Sequence, residues 1–191
     1  MKQPERIPQP HGKLAVFLPG LGAVATTFIA GCMLSRRSKA LPIGSLTQMG
    51  TIRLGKRTDK RMPKIRDFVP LASLDDLEFC AWDLFADNAY EAAVKAEVLE
   101  PRHLDLIKDE LERVKPRPAV FYPEYVKRLN GTHVKKGATK ADMVEALRED
   151  IRAFMKERGC ARAVTVWCGS TEIYLQATAV HQSIYAFEAG L

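Results

Sequence analysis

The sequence predicts an α/β fold: a Rossmann-like parallel sheet with helices on both faces. Two observations carry this. Apolar runs short enough for buried strands alternate with longer stretches of helical period, the pattern of a parallel sheet joined by crossover helices. The first such run, Leu14–Leu18, leads directly into Gly20-x-Gly22-x-x-Ala25. This is the spacing of a dinucleotide-binding turn, in which glycines let the backbone turn sharply and approach a pyrophosphate, and a small third residue lets helix and strand pack. The helix that follows would aim its free N–H groups and positive dipole end at the phosphates. A Gly-rich turn that only reverses the chain has the same residues.

Residues 1–12 contain three prolines and read as a flexible lead-in, with one domain over 13–191. After the glycine turn a helix runs to about Arg37, with Val24, Phe28, Ile29, Cys32 and Met33 at helical spacing. Residues 38–70 have no clear period, many glycines and prolines, and a short extended piece at Thr51–Leu54. Leu77–Trp82 reads as a strand and Asn88–Leu99 as an Ala-rich helix. A further helix spans Arg102–Val114, with Leu104, Ile107, Leu111 and Val114 on one stripe and Pro116 to end it. Ala119–Tyr122 is a short strand stopped by Pro123. Thr139 and Asp142 form a capping box that opens a helix to Arg158, with Val144, Leu147, Ile151 and Phe154 inward and Gly159 as terminator. Ala163–Trp167 is the last strand, and His181–Ala189 begins another helix.

Leu14–Leu34 is an uncharged stretch of 21 residues behind a basic segment, and Ile29-Ala30-Gly31-Cys32 resembles a lipoprotein processing site. Pro19, Gly20 and Gly22 interrupt any helix there, which favours strand plus turn over a membrane span or secretory signal. Hydrophobic residues make up 47% of the chain, enough for a core and against wholesale disorder. Cys32, Cys80, Cys160 and Cys168 form no C-x-x-C pair, and the four histidines add no metal-ligand spacing, so no metal is expected. Free thiols suit a reducing cytoplasm.

Charge is uneven. Residues 1–66 hold thirteen Lys and Arg against Glu5 and Asp59, whereas the remainder is net acidic. Lys56, Arg57, Lys60, Arg61, Lys64 and Arg66 crowd one stretch. Such a cluster suits a nucleic acid, a sugar phosphate or an acidic partner chain, or is simply a solvated loop. No aromatic residue is interleaved with these charges, which disfavours nucleic acid.

The simplest dinucleotide fold places an acidic residue about 20 residues beyond the glycines to hold the adenosine ribose. Here no acidic residue occurs between Glu5 and Asp59. Asp83 is the candidate, at the carboxyl end of a strand-like run; capping the helix at 88–99 is its other reading.

Several separate strings carry a more specific likeness: the glycine turn, Ser45-Leu-Thr-Gln-Met-Gly-Thr-Ile-Arg-Leu-Gly55, Ala81-Trp82-Asp83 with its following helix, Val114-Lys-Pro-Arg-Pro-Ala-Val-Phe-Tyr-Pro123, and Val164-Thr-Val-Trp-Cys-Gly-Ser-Thr-Glu172. In order and spacing, from about Lys13 to the end, the chain resembles the inositol-3-phosphate synthases (myo-inositol-1-phosphate synthases). The resemblance implies an NAD-dependent isomerase of inositol (phospholipid) biosynthesis that cyclises glucose 6-phosphate to inositol 3-phosphate. It implies a cytoplasmic homo-oligomer, a tetramer, with no membrane. It places NAD against Gly20, Gly22, Ala23, Val24 and Ala25 at the phosphate turn, and against Asp83 on the adenosine side. Ala119 and Val120 would form a wall, Asn130 a further polar contact, and Cys168, Gly169, Ser170 and Thr171 a loop at the last strand.

The chain departs from the family at two motifs. Many members have Asn-Asn where this chain has Val24-Ala25, and Thr-Ala-Asn-Thr-Glu where it has Cys168–Glu172. Backbone contacts to phosphate survive the first change, and Ser170 still offers a hydroxyl, with shorter reach than Asn. Family members also continue past the match to Leu191, with the catalytic lysines and the tetramer-forming domain, so the resemblance implies that this is the amino-terminal NAD-binding part and nominates no catalytic residue within it. An ordinary NAD-dependent dehydrogenase domain shares the turn but leaves Ser45–Gly55 unexplained.

Overall fold

A computed structural model describes residues 11–124, 126, 129–170 and 174–190. In chain order the elements are β1 (Lys13–Pro19), α1 (Ala23–Arg36), α2 (Leu46–Met49), β2 (Leu77–Asp83), α3 (Ala89–Ala96), α4 (Pro101–Asp105), α5 (Lys108–Glu112), β3 (Arg117–Pro118), α6 (Lys140–Arg158), β4 (Cys160–Thr165) and α7 (Ile184–Ala189). The four strands form one parallel sheet in the order β3-β2-β1-β4. The α/β fold is as the sequence predicts, with the order reversing beside β1. At such a point the loops leaving two neighbouring strands diverge and open a crevice.

Period-two alternation assigns each strand residue to a layer. Val16, Leu18, Phe79 and Ala81 face α1, α3, α4 and α5, with Ile29, Leu104, Ile107 and Leu111 buried among them. Ala15, Phe17, Cys80 and Trp82 face α6, against Phe154, Leu147 and Ile151. Phe17 is the centre of this second layer, 5.5 Å from the Trp82 ring and 5.7 Å edge-on from Phe154.

The uncharged stretch 14–34 folds as strand, turn and helix, and among the described residues no helix is long and apolar enough to cross a membrane. Helix α1 buries Ala25, Ile29, Cys32 and Met33, whereas Val24 and Phe28 are exposed. The expected stripe is thus rotated, because the residue that must fit under the helix at the turn is the small one, Ala25. Thr26 is buried within this face, and its hydroxyl donates to the Gly22 carbonyl at 2.9 Å.

Residues 38–76 are an insertion between α1 and β2, and Arg36 closes it. Its Nε donates to the Leu74 carbonyl and its Nη2 to the Leu77 carbonyl, and its guanidinium lies over the Phe79 ring. The last turn of α1 is thereby tied to the first residue of β2. The extended piece at Thr51–Leu54 is one arm of a hairpin: Thr51 bridges Lys64 antiparallel, Ile52 N donates to the Pro63 carbonyl and Leu54 N to the Arg61 carbonyl.

Several boundaries differ from expectation. The helix at 88–99 is shorter, from its Asn88–Glu91 capping box to Glu97, which turns left-handed at φ 53°. The helix expected over 102–114 is two short helices broken at Leu106–Ile107, although Leu104, Ile107, Leu111 and Val114 are all buried as its stripe required. The third strand lies at Arg117–Pro118, with Ala119 bridging Val134, rather than over 119–122. Pro116 and Pro118 have no N–H to donate, so the ladder there is short. The last strand starts at Cys160, directly after Gly159 ends α6 at φ 64°, and stops at Thr165. Thr139 and Asp142 cap α6 as expected. The tail helix begins after Ser183, preceded by a turn of 3-10 helix at Ala179–His181.

A polar cluster holds α6 to the sheet. Asp150 accepts from Trp82 Nε1 at 2.7 Å and pairs with Lys135 at 2.7 Å and Arg117 at 3.2 Å. Burial acts to raise the Asp150 carboxyl, but the hydrogen bonds from Lys135 and Trp82 and the nearby cations outweigh it, and its pKa lies below the ordinary carboxylate value. A carboxyl depressed on folding adds stability above its unfolded pKa of about 3.9, lost as pH falls through the folded value. Asp150→Asn should therefore lower stability by about 1–3 kcal/mol near neutral pH, and its deficit should shrink on acidification in urea titrations. Phe17→Ala should cost about 3–5 kcal/mol in the same assay.

Candidate dinucleotide-binding cleft

A cleft of about 820 Å³ opens at the carboxyl ends of all four strands. That size and place are usual for small-molecule sites in open α/β sheets. Its floor and rim come from Gly20–Ala23, Trp82–Phe85, Ala119–Phe121 and Trp167–Ser170.

The glycine turn is held from both sides. Gly20 N donates to the Trp82 carbonyl at 2.8 Å, and Cys168 N to the Pro19 carbonyl at 2.9 Å. Gly20 sits at φ +93°, and a Cβ there would lie 2.7 Å from Gly169 N and 2.9 Å from the Cys168 carbonyl carbon. Only glycine fits both that backbone conformation and that space. Gly22 differs. It precedes α1 with an extended backbone, no side chain caps the helix, and a Cβ added there would meet nothing within 4 Å. Open space thus faces a helix start whose first N–H groups lack a capping partner, the arrangement an anion requires.

Asp83 ends β2, the strand beside β1, at the position where this fold places its ribose-binding acid. The insertion 38–76 is what separates it so far from the glycines in sequence. Its Oδ2 accepts from Leu21 N at 2.6 Å and its Oδ1 from Phe85 N at 3.1 Å. The carboxylate therefore braces the glycine turn while its remaining lone pairs stay available to a ligand hydroxyl. The helix-cap alternative does not hold: Asn88 caps α3, accepting from Tyr90 N and Glu91 N.

The structure brings Gly20, Gly22, Ala23, Asp83, Ala119, Val120, Cys168, Gly169 and Ser170 to the lining of this one cleft. Val24 is exposed outside the lining, Ala25 is buried beneath α1, and Asn130 is exposed beside it, its neighbour Leu129 lining the cleft instead. Thr171 lies outside the described residues. Burial pushes the Cys168 thiol, which lines the cleft, above its ordinary value; Cys80, buried in the layer under α6, is pushed up to about 11.

Among the lining residues that were not anticipated, Asp87, Lys95 and Trp167 make polar contacts. Asp87, before the start of α3, and Lys95, in its last turn, form an ion pair at 2.6 Å. Trp167 covers Gly169 and donates from Nε1 to its carbonyl at 3.0 Å. The position of Trp167, one residue before the 168–171 loop, was the only signal available in the sequence.

Over residues 14–191 the chain matches the NAD-binding model of myo-inositol-1-phosphate synthase. The chain belongs to that family. Inositol-3-phosphate synthase 1 of Bacteroides thetaiotaomicron is 50% identical over 181 residues, covering 94% of this chain and 42% of the relative. Inositol-3-phosphate synthase 1-B of Xenopus laevis is 30% identical over 175 residues, covering 84% and 31%. The crystal structure of the Caenorhabditis elegans inositol-3-phosphate synthase superposes with a TM-score of 0.77 at 28% identity, over 88% of this chain and 36% of that one. The chain thus spans about two fifths or less of the length of these relatives. The matched part is the NAD-binding part, and NAD is the cofactor of this fold.

The two glycines should separate in mutagenesis. Gly20→Ala should destabilise the fold by more than about 1 kcal/mol, because both φ and space oppose it. Gly22→Ala should cost less than about 1 kcal/mol yet weaken NAD binding roughly tenfold by filling the approach to the phosphates. Thermal unfolding with and without NAD reads both effects.

Proposed function

We propose that this chain seats the NAD of an inositol-3-phosphate synthase. The protein it serves converts glucose 6-phosphate to 1D-myo-inositol 3-phosphate, for inositol and phospholipid synthesis in the cytoplasm, as a homo-tetramer. The observation that carries the reading is the uncapped start of α1, with open space over Gly22, in the same cleft as Asp83.

In this reading the N–H groups of Ala23, Val24 and Ala25 hold the pyrophosphate, a role that does not depend on the side chains at 24 and 25. Asp83 accepts from a ribose hydroxyl while its bond to Leu21 N keeps the turn in place. Ala119 and Val120 form an apolar wall, and Asn130 stands near the same rim. Cys168, Gly169 and Ser170 border the opposite end, where the Ser170 hydroxyl is a donor and acceptor for a polar group. Bound NAD supplies a hydride acceptor that returns the hydride later, so the isomerisation carries no net redox change. The residues of this chain bind and orient that cofactor and shield it from water; enolisation and ring closure need a base and a cation beside developing oxyanions, and none of the cleft residues is assigned to those roles.

NAD at a hundredfold excess over its Kd should raise stability by about 2.7 kcal/mol, read as a shift in Tm. Asp83→Ala should reduce that shift and also lower the Tm of the free protein, because Leu21 N loses its acceptor. No response to NAD in the native sequence would overturn the proposal. Conversion of glucose 6-phosphate by the full-length protein, followed by product analysis, separates the synthase from a simple dehydrogenase, which would accumulate NADH.

A further inference from the structure

We propose that the basic hairpin at 51–64 is a second anion site, distinct from the cleft, for a small ligand carrying two or three phosphate groups. Arg53, Arg57, Lys60 and Met62 line a concavity of about 480 Å³, and none of these residues lines the dinucleotide cleft. Arg53, Lys56, Arg57, Lys60, Arg61, Lys64 and Arg66 are all exposed, and among the described residues none of their side chains has an ion pair or hydrogen bond.

The two carboxylates within this stretch and its margin do not neutralise them. Asp59 Oδ2 accepts from Lys56 N at 2.9 Å, and Asp67 Oδ2 from Lys64 N at 3.2 Å. Both acids serve the backbone of the loop. The loop is a built structure: the ladder at 51–54 and 61–64 fixes its arms, and Gly55 at φ +81° lies where a Cβ would be 2.6 Å from Asp59 Oδ2. Like charges held this close repel one another, and a polyanion relieves that repulsion.

Two guanidinium groups and an ammonium round one hollow match phosphate oxygens, which arginine binds through paired N–H donors. The absence of any aromatic residue between Thr51 and Arg66 leaves no platform for stacked bases, which favours a small phosphorylated ligand over RNA or single-stranded DNA.

Inorganic tripolyphosphate is the probe, titrated calorimetrically at low ionic strength. It should bind in the presence of saturating NAD, and should bind Gly22→Ala as tightly as the native chain. Arg57→Gln combined with Lys60→Gln should weaken it at least ~tenfold while leaving the Tm shift with NAD unchanged. The affinity for tripolyphosphate and its loss in the double variant are read without NAD, so failure here is separable from failure of the NAD assignment, on which only the two arms with NAD depend. Equal affinity in the double variant, displacement by NAD, or binding of an RNA oligonucleotide with no tripolyphosphate binding would each overturn the proposal.

Discussion

The architecture of the cleft depends on the absence of a side chain at residue 20. At φ +93°, with the backbone of Cys168 and Gly169 inside the volume a Cβ would occupy, Gly20 lets the turn after β1 lie against the loop after β4. The two loops are joined further by the bond from Cys168 N to the Pro19 carbonyl, and the turn is bonded to β2 through Gly20 N and the Trp82 carbonyl. Three strand ends are thus brought into one rim. The Asp83 carboxylate closes the arrangement by accepting from Leu21 N. A residue that would bind a ribose hydroxyl is therefore also a brace for the turn that would bind phosphate, which couples the two halves of a dinucleotide site mechanically.

The insertion at 38–76 shows how a fold keeps its site when its sequence spacing is broken. In the simplest version of this fold the second strand follows the first helix closely. Here a long segment intervenes, yet β2 still pairs with β1 in continuous register from Leu14↔Leu77 to Pro19↔Trp82. Arg36 supplies the local reason, because its guanidinium bonds the carbonyls on both sides of the entry to β2 and leaves the insertion to fold outside the sheet. The insertion then carries its own hairpin and its own concentration of positive charge, remote in sequence from the glycine turn and built from different residues.

The two faces of the sheet are held differently. On one, α1, α3, α4 and α5 contribute aliphatic packing around Ile29, Leu104, Ile107 and Leu111. On the other, a single long helix packs an aromatic set, Phe17, Trp82 and Phe154, and anchors it with Asp150 bonded to the indole N–H of Trp82. Trp82 lines the cleft as well, so the anchoring of α6 and the shape of the site share a side chain. The half-buried Asp150 carboxylate is held among Lys135, Arg117 and the Trp82 indole, partners on the sheet and the segment beside it.

What the sequence determined by itself were the features written in local chemistry. The apolar run into Gly20 and Gly22, the Thr139–Asp142 cap, the Gly159 terminator and the Leu147, Ile151 and Phe154 side of α6, of which Phe154 is buried and the other two half-buried, all act within a few residues, so their signals survive in one dimension. The family likeness was legible for the same reason, as short strings in order. Relations between distant segments were set by the folded chain. That Asp83 ends the strand beside β1, next to the glycine turn despite the acid-free gap, follows from β2 pairing with β1. That the helix face at α1 turns on Ala25 rather than Val24 follows from how closely the helix must approach the sheet. The shift of β3 to Arg117–Pro118 reflects pairing with Trp82 and Asp83, which no local pattern specifies. The Asp87–Lys95 pair and the Trp167 cover over Gly169 belong to the cleft only because the strand ends converge there, and convergence is a property of the folded sheet, set by side chains and backbone that meet across the chain.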